Sequence, residues 1–254
     1  MAWGKPDAAT SADFLRPHPW DRNFHLLFVA LCWLGVGNGF FVALFGRFSG
    51  KADYPAPPIL QIHALAFVSW LLLLTAQVLL IRTGKTATHR RLGLTGMALV
   101  PVMVLSGLLA EVYSQRFYFD HPPNSQAFFI IPIWYSLGFG VLGGLALRAR
   151  RDSPRHKRLV LLATSFIVGA AYTRWWGETL TAWVGDGYLG MLINTYTGTS
   201  LLLALLLGYD KVARGRVHPV LLAGSLFIAA GSMATTLIYH APGWLPVARF
   251  LIGR

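Results

Sequence analysis

Residues 157–178, KRLVLLATSFIVGAAYTRWWGE, decide the fold. They open on two cations, run mostly apolar from Leu159 to Tyr172 and carry Arg174 near the far end. A bilayer core of ~30 Å takes ~20 largely apolar residues in one helix, so the stretch reads as a membrane span. Six similar stretches accompany it, at about 24–46, 57–82, 92–113, 126–148, 190–209 and 217–240. The sixth in chain order, 190–209, is short and opens near the polar run Asn194-Thr195-Tyr196-Thr197, so six spans is the alternative to seven. The expected fold is an all-α polytopic transmembrane bundle.

Composition agrees. The chain has 254 residues, 55% hydrophobic and 13% charged, against about 25% charged in soluble domains. The composition therefore argues against two soluble domains. The single cysteine, Cys32, excludes an intrachain disulfide framework and a cysteine-ligated zinc site. The first 22 residues are polar and hold Pro6, Pro17 and Pro19. The apolar run after them exceeds the length of a signal-peptide core, which predicts an uncleaved anchor. The expected organisation is an N-terminal segment over 1–23, one transmembrane domain over 24–240 and a short tail over 241–254.

The net charge of +12 is distributed by side. Lys5, Arg16 and Arg22 precede the first span, and Arg82, Lys85, Arg90 and Arg91 follow the second. Arg148, Arg150, Arg151, Arg155, Lys157 and Arg158 follow the fourth, and Lys211, Arg214 and Arg216 the sixth. These are 16 of the 22 Lys and Arg, all on one side of the predicted membrane. Basic loops stay cytoplasmic, which places the N-terminus inside and the C-terminus outside. A charge distributed in this way is an orientation signal with room for anionic-lipid contact, and nucleic acid is not an expected partner.

Two polar patterns stand out within this frame. His25, His89, His156 and His218 each mark the inner start of an odd-numbered span, one hairpin apart. A duplicated two-helix unit would give that period, and so would the suitability of histidine for helix starts at the inner headgroups. The second pattern is a layer. Counted from each inner boundary at ~1.5 Å per residue, Asn38, His63, Glu111, Arg174, Glu178 and His240 fall ~21–33 Å deep. Tyr172 and Asn194 fall near the same level. Ionisable residues inside spans are costly and face the bundle interior or a cavity. Arg174 and Glu178 are four apart and within pairing reach on one helix.

Two histidines on different helices can hold a haem iron while an arginine neutralises a propionate. His63, His240 and Arg174 match that list in kind. The same residues fit a proton relay, or a site for a lipid, quinone or anion held by Arg174. They also fit an internal polar network in an accessory subunit of a larger membrane complex. The run His63, Trp70, Gln77 and His89-Arg90-Arg91-Leu92-Gly93, within residues 57–110, resembles small bacterial multi-span proteins of uncertain role and integral-membrane b-type cytochromes. That resemblance implies a bacterial inner (plasma) membrane location, haem b and electron transfer. His89 is expected in a loop instead of a span, and no two adjacent spans each carry two stacked histidines, so at most one haem site is implied. The last span has no His-x-x-x-His pair of the zinc hydrolases with seven spans, and no lysine for a retinal Schiff base.

Overall fold

Backbone polar groups in lipid must be satisfied within the segment, which an α-helix does alone. Every apolar stretch has folded accordingly. The structure is a computed structural model that describes residues 14–15, 18–52, 54–121 and 125–254. Its helices are α1 (Asp21–Phe48), α2 (Pro58–Arg82), α3 (Thr86–Gly93), α4 (Gly96–Asp120), α5 (Ile130–Arg148), α6 (Ser153–Val184), α7 (Tyr188–Arg214), α8 (Pro219–His240) and α9 (Trp244–Leu251). A 3-10 turn over Gln126–Phe129 leads into α5, and α3 runs on into α4. No strand occurs among the described residues. Seven helices are long and apolar enough to cross a membrane, the sixth among them with 27 residues. The count is seven, and the protein is an all-α multi-pass membrane protein.

The helices outrun their apolar cores. Helix α6 extends over 32 residues, beyond both expected ends. Asp152 starts it by accepting the Arg155 N–H at 3.3 Å, with Pro154 in the first turn. Proline suits that position because its missing N–H would have no helical partner there. Helix α7 stops at Gly215, whose φ of +71° is the left-handed conformation that favours glycine.

Hydropathy and burial run in opposite directions. Helices α1 and α2 have mean hydropathies of 2.0 and 2.3 over stretches only 22% buried, whereas α6 has 1.2 and is 67% buried. Lipid demands apolar side chains, while the bundle interior tolerates small and polar ones. Helix α6 is accordingly the hub and packs on α7, α5, α1 and α8. Phe28, Phe139, Phe166 and Leu162 are among the fully buried side chains around it.

Three tryptophans near span centres bind helices together. Trp33 on α1 donates its indole N–H to Thr75 on α2 at 3.0 Å. Trp70 on α2 donates to Thr164 on α6 at 3.1 Å, and Trp134 on α5 to Ser232 on α8 at 3.4 Å. Each donor satisfies itself across a helix boundary, as a buried indole requires. Gly35 and Gly39 bring α1 against α6. A Cβ at Gly35 would lie 2.7 Å from the Tyr172 ring, and one at Gly39 would meet the Ala171 carbonyl. This spacing of small residues is therefore used within the chain.

Of the segment 1–23, residues 1–13 and 16–17 lie outside the described residues. The tail 241–254 carries α9, which packs Ala248 and Ile252 on Phe129. Trp244 anchors it by donating to the Ala127 carbonyl at 2.8 Å.

Candidate functional site: Arg174 and the ion network at the basic face

Past Gly39, helix α1 leaves the bundle. Residues 41–45 are all exposed, and five consecutive helical positions cover every face. The departure uncovers Arg174 on α6, one turn beyond Ala171 and exposed. Its guanidinium donates to the Ala170 carbonyl at 3.0 Å and lies 5.0 Å from the centre of the Phe40 ring. Among the described residues, no carboxylate lies within ion-pairing distance of it, Glu178 included. Glu178 is exposed, so the four-residue spacing has not produced a pair.

Arg174 is within Coulombic reach of His63 on α2 and Glu111 on α4. The His63 Nδ1 is buried and has no hydrogen-bond partner among the described residues. Its ring packs on Phe67 with centroids 4.2 Å apart. Gly107 of α4 lies beside the ring and lets α5 approach, because a Cβ there would stand 2.9 Å from Ser136 Oγ. Glu111 accepts from Gln115 at 2.7 Å.

The remaining residues of the layer turn elsewhere. Asn38 donates to the Leu34 carbonyl at 2.8 Å. The Tyr172 hydroxyl donates to the Leu31 carbonyl at 2.8 Å, which ties α6 to α1. Asn194 donates to Thr181 at 2.6 Å, and its Oδ1 is buried without a partner among the described residues. His240 is exposed, with Nδ1 2.9 Å from the Thr236 carbonyl and its ring near Tyr188. Its helix packs on α5, α6, α7 and α9, whereas the helix of His63 packs on α1, α3 and α4. The structure thus gathers His63, Glu111 and Arg174, and sets His240 apart from them.

A second polar cluster, at the basic face, was read in the sequence only as orientation charge. Arg158 and Asp210 form a fork of two hydrogen bonds at 2.7 and 2.5 Å, with both side chains 4% exposed. Asp210 also accepts the His218 backbone N–H at 3.1 Å. Beside it, Asp21 takes Arg214 at 2.7 Å and the Tyr209 hydroxyl at 2.5 Å. Lys157 lies within Coulombic reach of both carboxylates. A cavity of about 20 Å³ between His25, Lys157, Tyr209 and Asp210 has room for one water. Four helix ends, of α1, α6, α7 and α8, are clamped together here.

The four periodic histidines take four different local roles. His25 Nδ1 meets the Asp21 carbonyl at 2.5 Å and His156 Nδ1 the Ala146 carbonyl at 2.8 Å. His218 caps α8 by accepting the Val220 N–H, and His89 Nδ1 is buried without a partner among the described residues. Burial, with Arg158 beside it, pushes the His218 imidazole down to about 4. No group of three or more His, Cys, Asp or Glu among the described residues is arranged to hold a metal ion. Compared with family models, curated proteins and solved structures, the chain gives no match.

Proposed function

We propose that this membrane protein binds an amphipathic small molecule with an anionic or carbonyl head, of the fatty-acid or quinone kind, at Arg174. The observation that carries this reading is an arginine within a span, uncovered where α1 peels away and without a carboxylate partner among the described residues. A guanidinium offers paired N–H donors to a carboxylate, phosphate or carbonyl oxygen. The His63 Nδ1, without a partner among the described residues, supplies a second polar contact, and Glu111 an acidic group nearby. The exposed apolar residues of α1, from Phe41 to Phe45, offer the tail a path from the lipid. In this reading the N-terminus is cytoplasmic, the site lies in the outer half of a bacterial inner membrane, and the protein is a binding protein or transporter.

The test is thermal unfolding of the detergent-purified protein with a long-chain fatty acid and with an isoprenoid benzoquinone. A ligand at 100 times its Kd stabilises by about 2.7 kcal/mol, and Arg174→Gln should abolish the shift. The His63 Nδ1, buried without a hydrogen-bond partner among the described residues, favours a second reading, a haem held at His63. A Soret band in the purified protein, lost in His63→Ala, would support that reading over the first. A colourless protein that neither ligand stabilises would leave a non-catalytic subunit of a larger complex.

A further inference from the structure

The membrane-facing surface between α2 and the continuous α3–α4 helix carries a groove that the Arg174 site does not use. Its volume is about 500 Å³, within the range of about 300–1,000 Å³ seen for small-molecule sites. Leu72, Leu73 and Ala76 form one wall, and Leu92, Ala98 and Leu99 the other. Ala76 and Ala98 are its smallest lining side chains. Ser69 and Thr95 are the polar lining residues, so the groove suits a hydrocarbon chain.

Chemistry at the mouth limits the occupant. Leu99 and Val102 lie one turn apart on α4, and across the turn at Leu94–Thr95 the groove is lined by Leu92 of α3, next in sequence to Arg91. Arg90 and Lys85 lie on the same short helix or at its start. All three are exposed, and none has an ion-pair partner among the described residues. No Asp or Glu occurs in the sequence between Asp53 and Glu111. An apolar channel that ends in unneutralised cations at the membrane boundary is complementary to an amphiphile with an anionic head. Basic sites between spans hold anionic lipid headgroups in this way. A second copy of the chain fits less well, because a two-fold contact presents the same patch from both subunits and would set one cation cluster against the other.

We propose that this groove binds one anionic phospholipid, with an acyl chain between α2 and α4 and the phosphate at Arg91, supported by Arg90 and Lys85. The site is independent of Arg174. Its test uses the full chain in a neutral detergent, with phosphatidylglycerol, phosphatidylcholine and inorganic phosphate as separate additions. Native mass spectrometry reads the bound lipid, and thermal unfolding reads its effect. Phosphatidylglycerol should bind at least ten times more tightly than phosphatidylcholine and raise Tm, and phosphate alone should do neither. The surface variant Arg90→Gln/Arg91→Gln should lose at least tenfold in that affinity with an unchanged circular dichroism spectrum. Ala98→Leu, which fills the groove from an exposed position, should weaken both lipids while the cations remain. Equal binding of the two lipids, an equal effect from phosphate, or unchanged binding in both variants would each overturn the proposal. So would a detergent-stable dimer that Ala98→Leu converts to monomer, since a second copy would then fill the groove.

Discussion

Arg158 on α6 and Asp210 on α7 share two hydrogen bonds across 52 residues of sequence, with both side chains removed from water. Removing one partner strands the other charge, which costs about 3–5 kcal/mol for a buried pair. Asp210→Asn should therefore lower the thermal stability of the purified protein strongly. The double variant Arg158→Met/Asp210→Leu strands no charge and should recover much of the loss. Equal losses in the two variants would show that the pair is not the source of the effect.

The cap of α8 makes stability depend on pH. His218 Nδ1 accepts the Val220 N–H at 3.1 Å, so it must be unprotonated there. Its pKa falls from 6.5 to about 4 on folding. Between these values the unfolded chain binds more protons, so this contribution is present above about pH 6.5 and is lost as pH falls toward 4. Unfolding midpoints across that window should fall less in His218→Asn, where a neutral side-chain oxygen can still cap the helix. Parallel pH profiles for the two proteins would refute the assignment.

Two glycines two residues apart should respond in opposite senses to alanine. A Cβ at Gly39 meets the Ala171 backbone, whereas one at Gly37 has nothing within 4 Å. Gly39→Ala must push α1 off α6, an overpacking that costs about 1–3 kcal/mol. Gly37→Ala gains the helix preference of alanine, up to about 1 kcal/mol. A falling midpoint for the first and a steady or rising one for the second is the expected result.

Arg174→Gln should separate function from stability. Arg174 is exposed, and among the described residues its direct contacts are a carbonyl of its own helix and the face of Phe40. An exposed cation–π contact contributes about 0.5–1 kcal/mol, so the ligand-free variant should unfold within about 1 kcal/mol of the parent. A much larger loss would mark Arg174 as a structural residue and would count against a ligand site there.

These expectations differ in how far the sequence alone could carry them. Helix positions were legible because a span must be long and apolar. The direction in which a side chain points was not. Lipid and core are both apolar, so α6 carries almost no sided pattern, and depth alone put His240 and His63 in one layer. The Arg158–Asp210 pair was hidden for a related reason. A charge near a span end looks the same whether it faces headgroups or, as here, folds back between helices that run past their apolar cores.

Orientation remains a prediction of the cation count, and two serines test it. Ser49 follows α1 and Ser153 opens α6, both are exposed, and they lie toward opposite ends of the bundle. Cys32 is fully buried and gives no background to thiol labelling. With basic loops held inside, Ser49→Cys should react with an impermeant maleimide in intact cells, and Ser153→Cys only after permeabilisation. The reverse pattern would turn the molecule over. Arg174 would then face the cytoplasmic half of the bilayer, and the groove beside Arg91 would draw its lipid from the outer leaflet.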